Sequence, residues 1–137
     1  MNTYNVNDEN FVNSQVYQDF LRANPSEGYL KIRAFAASQA IPISGLNIVV
    51  SKVIDNNNVI FFEGVTNESG VIEKITLPAP KLSESNLVAP NGIVYDITAT
   101  YTNNNISGVY KVNIYEGIYV VQTISIVPDT TLGVGGI

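Results

Sequence analysis

The sequence has no cysteine, no histidine and no tryptophan, and only seven lysines and arginines among 137 residues. Each absence excludes a body of chemistry. Without cysteine or histidine there are no disulfides, thiol nucleophiles or imidazole bases, and nearly every transition-metal site loses its usual ligands. The expectation is a chain that is not an enzyme and holds neither cofactor nor metal. Twelve carboxylates against seven cations give a formal charge of −5, which repels phosphate backbones and anionic lipid surfaces. No run approaches the eighteen apolar residues of a membrane-spanning helix. The opening MNTYNVNDEN carries neither the basic nor the apolar region of a secretory signal. Neither a nucleic-acid partner nor membrane insertion is expected, and the chain reads as made in the cytoplasm and ending on a spore, cell or virion surface.

What is present argues for a folded domain. Hydrophobic residues make up 45% and charged residues 14%, enough apolar surface to offset the entropy of ordering the chain. The length suits one core. Residues 1–27 read as an arm, 28–128 as a β-sandwich and 129–137 as a tail. In the arm, Phe11, Val12, Val16, Tyr17, Phe20 and Leu21 recur at close to the helical period, predicting an amphipathic helix over 9–23. Asp8 or Asn10 can cap its start, and Asn24-Pro25 stops it. Such a helix either covers one end of its own domain or docks on a neighbour.

From Gly28 onward, β-branched and aromatic runs alternate with Asn, Gly, Pro and Ser clusters, the pattern of strands and turns. Strands are predicted over 29–36, 46–54, 59–66, 71–77, 93–101, 109–115 and 118–127. In the first, Leu30, Ile32 and Ala34 share one face, and Lys31 and Arg33 the other. In the fifth, Ile93, Tyr95, Ile97 and Ala99 form the core face. Asp55-Asn56-Asn57-Asn58 closes a hairpin, because Asn and Asp tolerate left-handed dihedrals. Residues 78–92 form a long loop and 102–108 an Asn-rich turn. Seven short strands at this spacing predict an all-β, two-sheet Greek-key sandwich with a short helical or extended N-terminal arm.

The succession Gly28-Tyr29-Leu30-Lys31-Ile32, Ala40-Ile41-Pro42-Ile43-Ser44-Gly45, Thr66-Asn67-Glu68-Ser69-Gly70, Leu77-Pro78-Ala79-Pro80 and Ile93-Val94-Tyr95-Asp96-Ile97 resembles bacterial carboxypeptidase-regulatory-like domains. The resemblance covers about residues 28–128 and implies a prealbumin-like (transthyretin-like) sandwich. Its flavour is that of variants from Gram-positive spore-forming bacteria, including those attached to spore cortex-lytic enzymes.

Few side chains are placed for chemistry. Ser51-Lys52 is the one adjacent nucleophile and base pair, and neighbours in a strand face opposite ways. Glu63, Glu68, Glu73 and Glu116 read as exposed acids rather than a glycosidase pair. The oxygen-rich segments Asp8-Glu9-Asn10, Asp55-Asn56-Asn57-Asn58 and Asn67-Glu68 lack the carboxylate spacing of a calcium loop. Tyrosines cluster toward the C-terminal strands, with Tyr95 and Tyr119 as candidate contacts for a cell-wall glycan. Ordering polar or glycine-rich tails costs about 1 kcal/mol or more per residue, so something must bind them. The leading expectation is a structural, non-catalytic subunit forming homo-oligomers or filaments through its termini. Its interface residues would be Phe11, Val12, Val16, Tyr17, Phe20, Leu21, Leu132, Val134 and Ile137. The alternative is an accessory module that binds glycan or peptidoglycan.

Overall fold

A computed structural model describes residues 1–36, 41–82, 92–101 and 105–126. Among them are nine strands and two helices: β1 (Thr3–Asn5), α1 (Glu9–Val12), α2 (Gln15–Ala23), β2 (Ser26–Ala36), β3 (Ile41–Pro42), β4 (Asn47–Ile54), β5 (Asn57–Val65), β6 (Val71–Ala79), β7 (Ile93–Tyr101), β8 (Asn105–Ile114) and β9 (Tyr119–Ile126). The expected all-β, two-sheet sandwich is what the chain forms, with nine strands where about seven were expected. The two extra are the short β1 and β3. Of the turn expected over 102–108, residues 102–104 lie outside the described residues and 105–108 belong instead to β8; most of the loop expected over 78–92 also lies outside them, while Pro78 and Ala79 continue β6.

One sheet has the order β1-β5-β4-β7-β8. The second is built on β2, with β6 antiparallel along one edge and β9 parallel along the other. Strand β3 pairs with Phe35 and Ala36 just beyond the stretch that β6 covers, so it extends the β6 edge. Alternation decides which side chains go inside. Leu30, Ile32 and Ala34 on β2 meet Ile48 and Val50 on β4, and Tyr95, Ile97 and Ala99 on β7, in one fully buried layer.

The turns follow local chemistry. Asp55 and Asn56 form a two-residue connection between β4 and β5, both with positive φ (47° and 63°), the geometry of a type I′ hairpin. Gly70 also has positive φ, and a Cβ there would lie 2.5 Å from the Ala34 carbonyl oxygen, so both conformation and space require glycine. Thr66 is buried between the turns. Its hydroxyl donates to the Ile43 carbonyl at 2.6 Å and accepts from the Leu46 amide at 3.0 Å, fixing the bend that leads into β4.

The helix expected over 9–23 is broken in two. Asp8 caps α1 by accepting from the Asn10 amide, and Ser14 starts α2 by accepting from the Tyr17 amide. The break turns the aromatic residues inward. Tyr4, Phe11, Tyr17, Phe20, Phe61 and Tyr95 form a continuous ring cluster with centroids 4.7–6.2 Å apart. Phe61 reaches it because β5 carries a bulge there: Val50 pairs with Phe62 and Ser51 with Ile60, leaving Phe61 as the extra residue.

This packing corrects the N-terminal part of the expected assembly interface. Phe11, Tyr17 and Phe20 are buried in the chain's own core, and Val12, Val16 and Leu21 pack against it. The reason is adjacency: β1 pairs in parallel with β5, which brings the helices onto the aromatic side chains of β5 and β7. The arm and the sandwich share one core. Leu132, Val134 and Ile137 lie outside the described residues.

Candidate binding face

The outward side of the β2 sheet gathers the polar and aromatic groups that alternation excludes from the core. Tyr29, Lys31, Arg33 and Phe35 follow one another along β2, each opposite in sense to the buried Leu30, Ile32 and Ala34. Parallel pairing puts Tyr119 beside Tyr29 and Val121 beside Lys31. From the other edge, Glu73 and Lys74 come from a register irregularity in β6 opposite Lys31. Two segments ninety residues apart, and a third between them, therefore meet on one surface.

The contacts within this face are specific. The rings of Tyr29 and Tyr119 lie 5.9 Å apart, and the Tyr119 hydroxyl donates to the Glu73 carbonyl. The Lys74 ammonium lies 4.6 Å from the centre of the Tyr29 ring, and the Arg33 guanidinium 4.9 Å from that of Phe35. Lys31 pairs with Glu73 at 3.5 Å. Tyr119 and Val121 are both about half exposed, at 48% and 49%. The result is an open platform of flat rings edged by cations.

Of the two tyrosines singled out in the sequence, only Tyr119 is on this platform. Tyr95 is fully buried, its hydroxyl donating to the Pro78 carbonyl at 2.6 Å and its ring edge-on to Phe61. That corrects its reading as a ligand contact: it lies on the core face of β7 together with Ile93, Ile97 and Ala99. Burial also raises the Tyr95 hydroxyl far above the ordinary tyrosine range. Tyr29, Arg33 and Lys74 were not proposed as contacts from sequence. The alternation of Lys31 and Arg33 gave their face, but the parallel pairing that joins it to Tyr119 has no local signature.

The remaining candidates are dispersed. Ser51 stands across from Asp96, whereas Lys52 lies beside the Tyr95 ring and donates to the Val94 carbonyl. Burial lowers the Lys52 ammonium below the usual lysine range. Glu63 is exposed on β5, Glu68 is exposed in the turn before β6, and Glu73 is on β6. Glu116 accepts from the Ser26 hydroxyl at 2.8 Å and the Leu82 amide, tying the turn before β9 to the start of β2. Those two hydrogen bonds hold its carboxyl below the usual range. Among the described residues no three carboxylates gather as a metal site, and none of the helices is long and apolar enough to cross a membrane. A pocket of about 230 Å³ between Tyr4, Phe11, Val16 and Asn57 borders the arm, smaller than the clefts that hold small ligands.

No family model and no curated protein matches the chain. Solved structures do. The chain is similar to 5-hydroxyisourate hydrolase from Klebsiella pneumoniae, at 15% identity and a TM-score of 0.47, over 74% of this chain and 91% of that one. It is similar to transthyretin from Sparus aurata, at 16% identity and a TM-score of 0.42, over 72% and 90%. A leucine-rich repeat protein from Bacteroides thetaiotaomicron matches at 9% identity and a TM-score of 0.41, over 74% of this chain and 12% of that one. These likenesses concern the fold alone. The expectation that the chain is not an enzyme is corrected: a hydrolase is among the structures it is similar to.

Proposed function

We propose that the chain is an accessory module that binds a cell-wall glycan on the outer face of the β2 sheet. The observation that carries this reading is the pair of tyrosine rings, Tyr29 and Tyr119, side by side on an open face with Lys74 set over one of them. Sugar rings present apolar C–H faces to aromatic side chains and hydroxyls to the polar groups around them, so such a platform suits a polysaccharide better than a compact ligand. The setting on this reading is the wall or spore surface of a Gram-positive spore former, as the turn motifs imply. Retention of the purified chain on insoluble cell-wall polysaccharide tests it. Tyr119→Ala is expected to weaken retention about tenfold, the scale of a single binding hot spot, with the thermal midpoint nearly unchanged. Equal retention of wild type and variant overturns the reading.

A second reading, a self-associating structural subunit, is favoured by one observation. Among the described residues β9 pairs with β2 alone, so a strand from another copy has an edge on which to add. Sedimentation of the full chain against a chain lacking residues 129–137 tests it. Assembly that survives the truncation, or a monomer in both, counts against the C-terminal segment as the joining element.

A further inference from the structure

We infer that the polymer taken by this face is acidic, a polysaccharide carrying carboxylates; the inference rests on the glycan reading above and specifies its ligand class. Charge distribution is the first ground. Three of the seven cations in the sequence, Lys31, Arg33 and Lys74, stand on this one face, with Glu73 and Glu27 as the carboxylates there. The face therefore carries 3 − 2 = +1, while the whole chain carries −5, which leaves −6 elsewhere.

How the cations are engaged is the second ground. Arg22 pairs with Asp19, Lys111 with Asp96 and Lys31 with Glu73, and Lys52 donates to a backbone carbonyl. Arg33 and Lys74 have no carboxylate within ion-pair distance among the described residues; each rests on an aromatic ring instead. A ring orients a cation without neutralising it, so both keep donors for an incoming anion. An arginine fork matches a carboxylate in two parallel hydrogen bonds.

Spacing is the third ground. Tyr29, under Lys74, and Arg33 are four residues apart on β2, about 13 Å at the usual rise of a strand. Two cations set over different rings along one strand, Lys74 over Tyr29 and Arg33 over Phe35, with the tyrosine pair at one end, suit a chain bearing repeated charges rather than one small anion.

The test uses polygalacturonate and its fully methyl-esterified form, which share a sugar backbone and differ in charge. Binding is measured by affinity electrophoresis at 20 and 200 mM salt, with single-stranded DNA as a further probe. The acidic polymer is expected to bind at least tenfold more tightly than the ester. That preference should shrink in the higher salt and fall severalfold in Arg33→Gln and in Lys74→Gln, with melting unchanged in both. Equal binding of acid and ester, indifferent to salt, overturns the acidic ligand and leaves the glycan reading standing. Binding of neither polymer, together with wall retention that Tyr119→Ala does not alter, overturns the glycan reading itself. Tighter binding of DNA than of polygalacturonate, lost in the same two variants, also overturns the inference and makes the face a nucleic-acid surface.

Discussion

Two buried side chains show how much can depend on one polar atom. Thr66 is only 2% exposed, and its hydroxyl serves the Ile43 carbonyl and the Leu46 amide at once. Thr66→Val keeps the shape and strands both backbone groups, so urea unfolding should show a loss of about 1–3 kcal/mol. Thr66→Ser should recover much of that loss. Tyr95 gives a pH signature. Its folded hydroxyl is held protonated well above the ordinary value near pH 10. A folded pKa above the unfolded one contributes stability that is complete below the unfolded value and is lost as pH rises past it. Melting temperature should therefore begin to fall as pH rises past about 10 and keep falling above it, and Tyr95→Phe should flatten that fall. At this scale the sequence was most legible where alternation was strict. The period-two run Ile93, Tyr95, Ile97, Ala99 had already placed Tyr95 inside, and chemical resemblance to a sugar-binding ring was a poorer guide than parity.

Elements were legible in proportion to their length. The seven longer strands follow from β-branched alternation and turn residues, and the Asp55-Asn56 hairpin from the tolerance of those residues for positive φ. Strands β1 and β3, of three and two residues, exist only because a neighbour's edge is there to pair with. The helix break at Asn13-Ser14 was written in Ser14, a capping residue in the middle of an otherwise helical period. Gly28 shows a constraint that no strand pattern reveals. A Cβ there would meet the Tyr115 carbonyl oxygen at 2.3 Å and Ile114 Cγ2 at 2.5 Å. The backbone contact cannot yield as a flexible side chain would. Gly28→Ala should thus destabilise the fold by about 1–3 kcal/mol, against the usual gain from replacing a strand glycine, and thermal melting checks it. The candidate face was half legible: β2 supplied its own cations and rings, while Tyr119 and Lys74 arrived through long-range register.

For the molecule as a whole, the arm is part of the core. Phe11, Tyr17 and Phe20 each bury an aromatic ring against the sandwich, worth about 1.5–3 kcal/mol apiece. That total is large beside the stability of about 5–15 kcal/mol typical of a domain. Removing residues 1–24 should lower the melting temperature by at least about 10 °C and expose Phe61 to hydrophobic dyes. A truncated chain that melts like the full one would return these side chains to the role of a docking arm. Strand β2 has a bearing on biogenesis as well. Its parallel partner, β9, begins ninety residues further on, with Tyr29 opposite Tyr119. Contacts that distant are the slow ones to form. On the ribosome, β2 emerges about ninety residues ahead of β9 and keeps a bare edge until β9 has been translated. Nascent copies on one messenger would be most prone to mispair during that interval, which makes the timing of synthesis, rather than native stability, the point at which production of this protein is most easily disturbed.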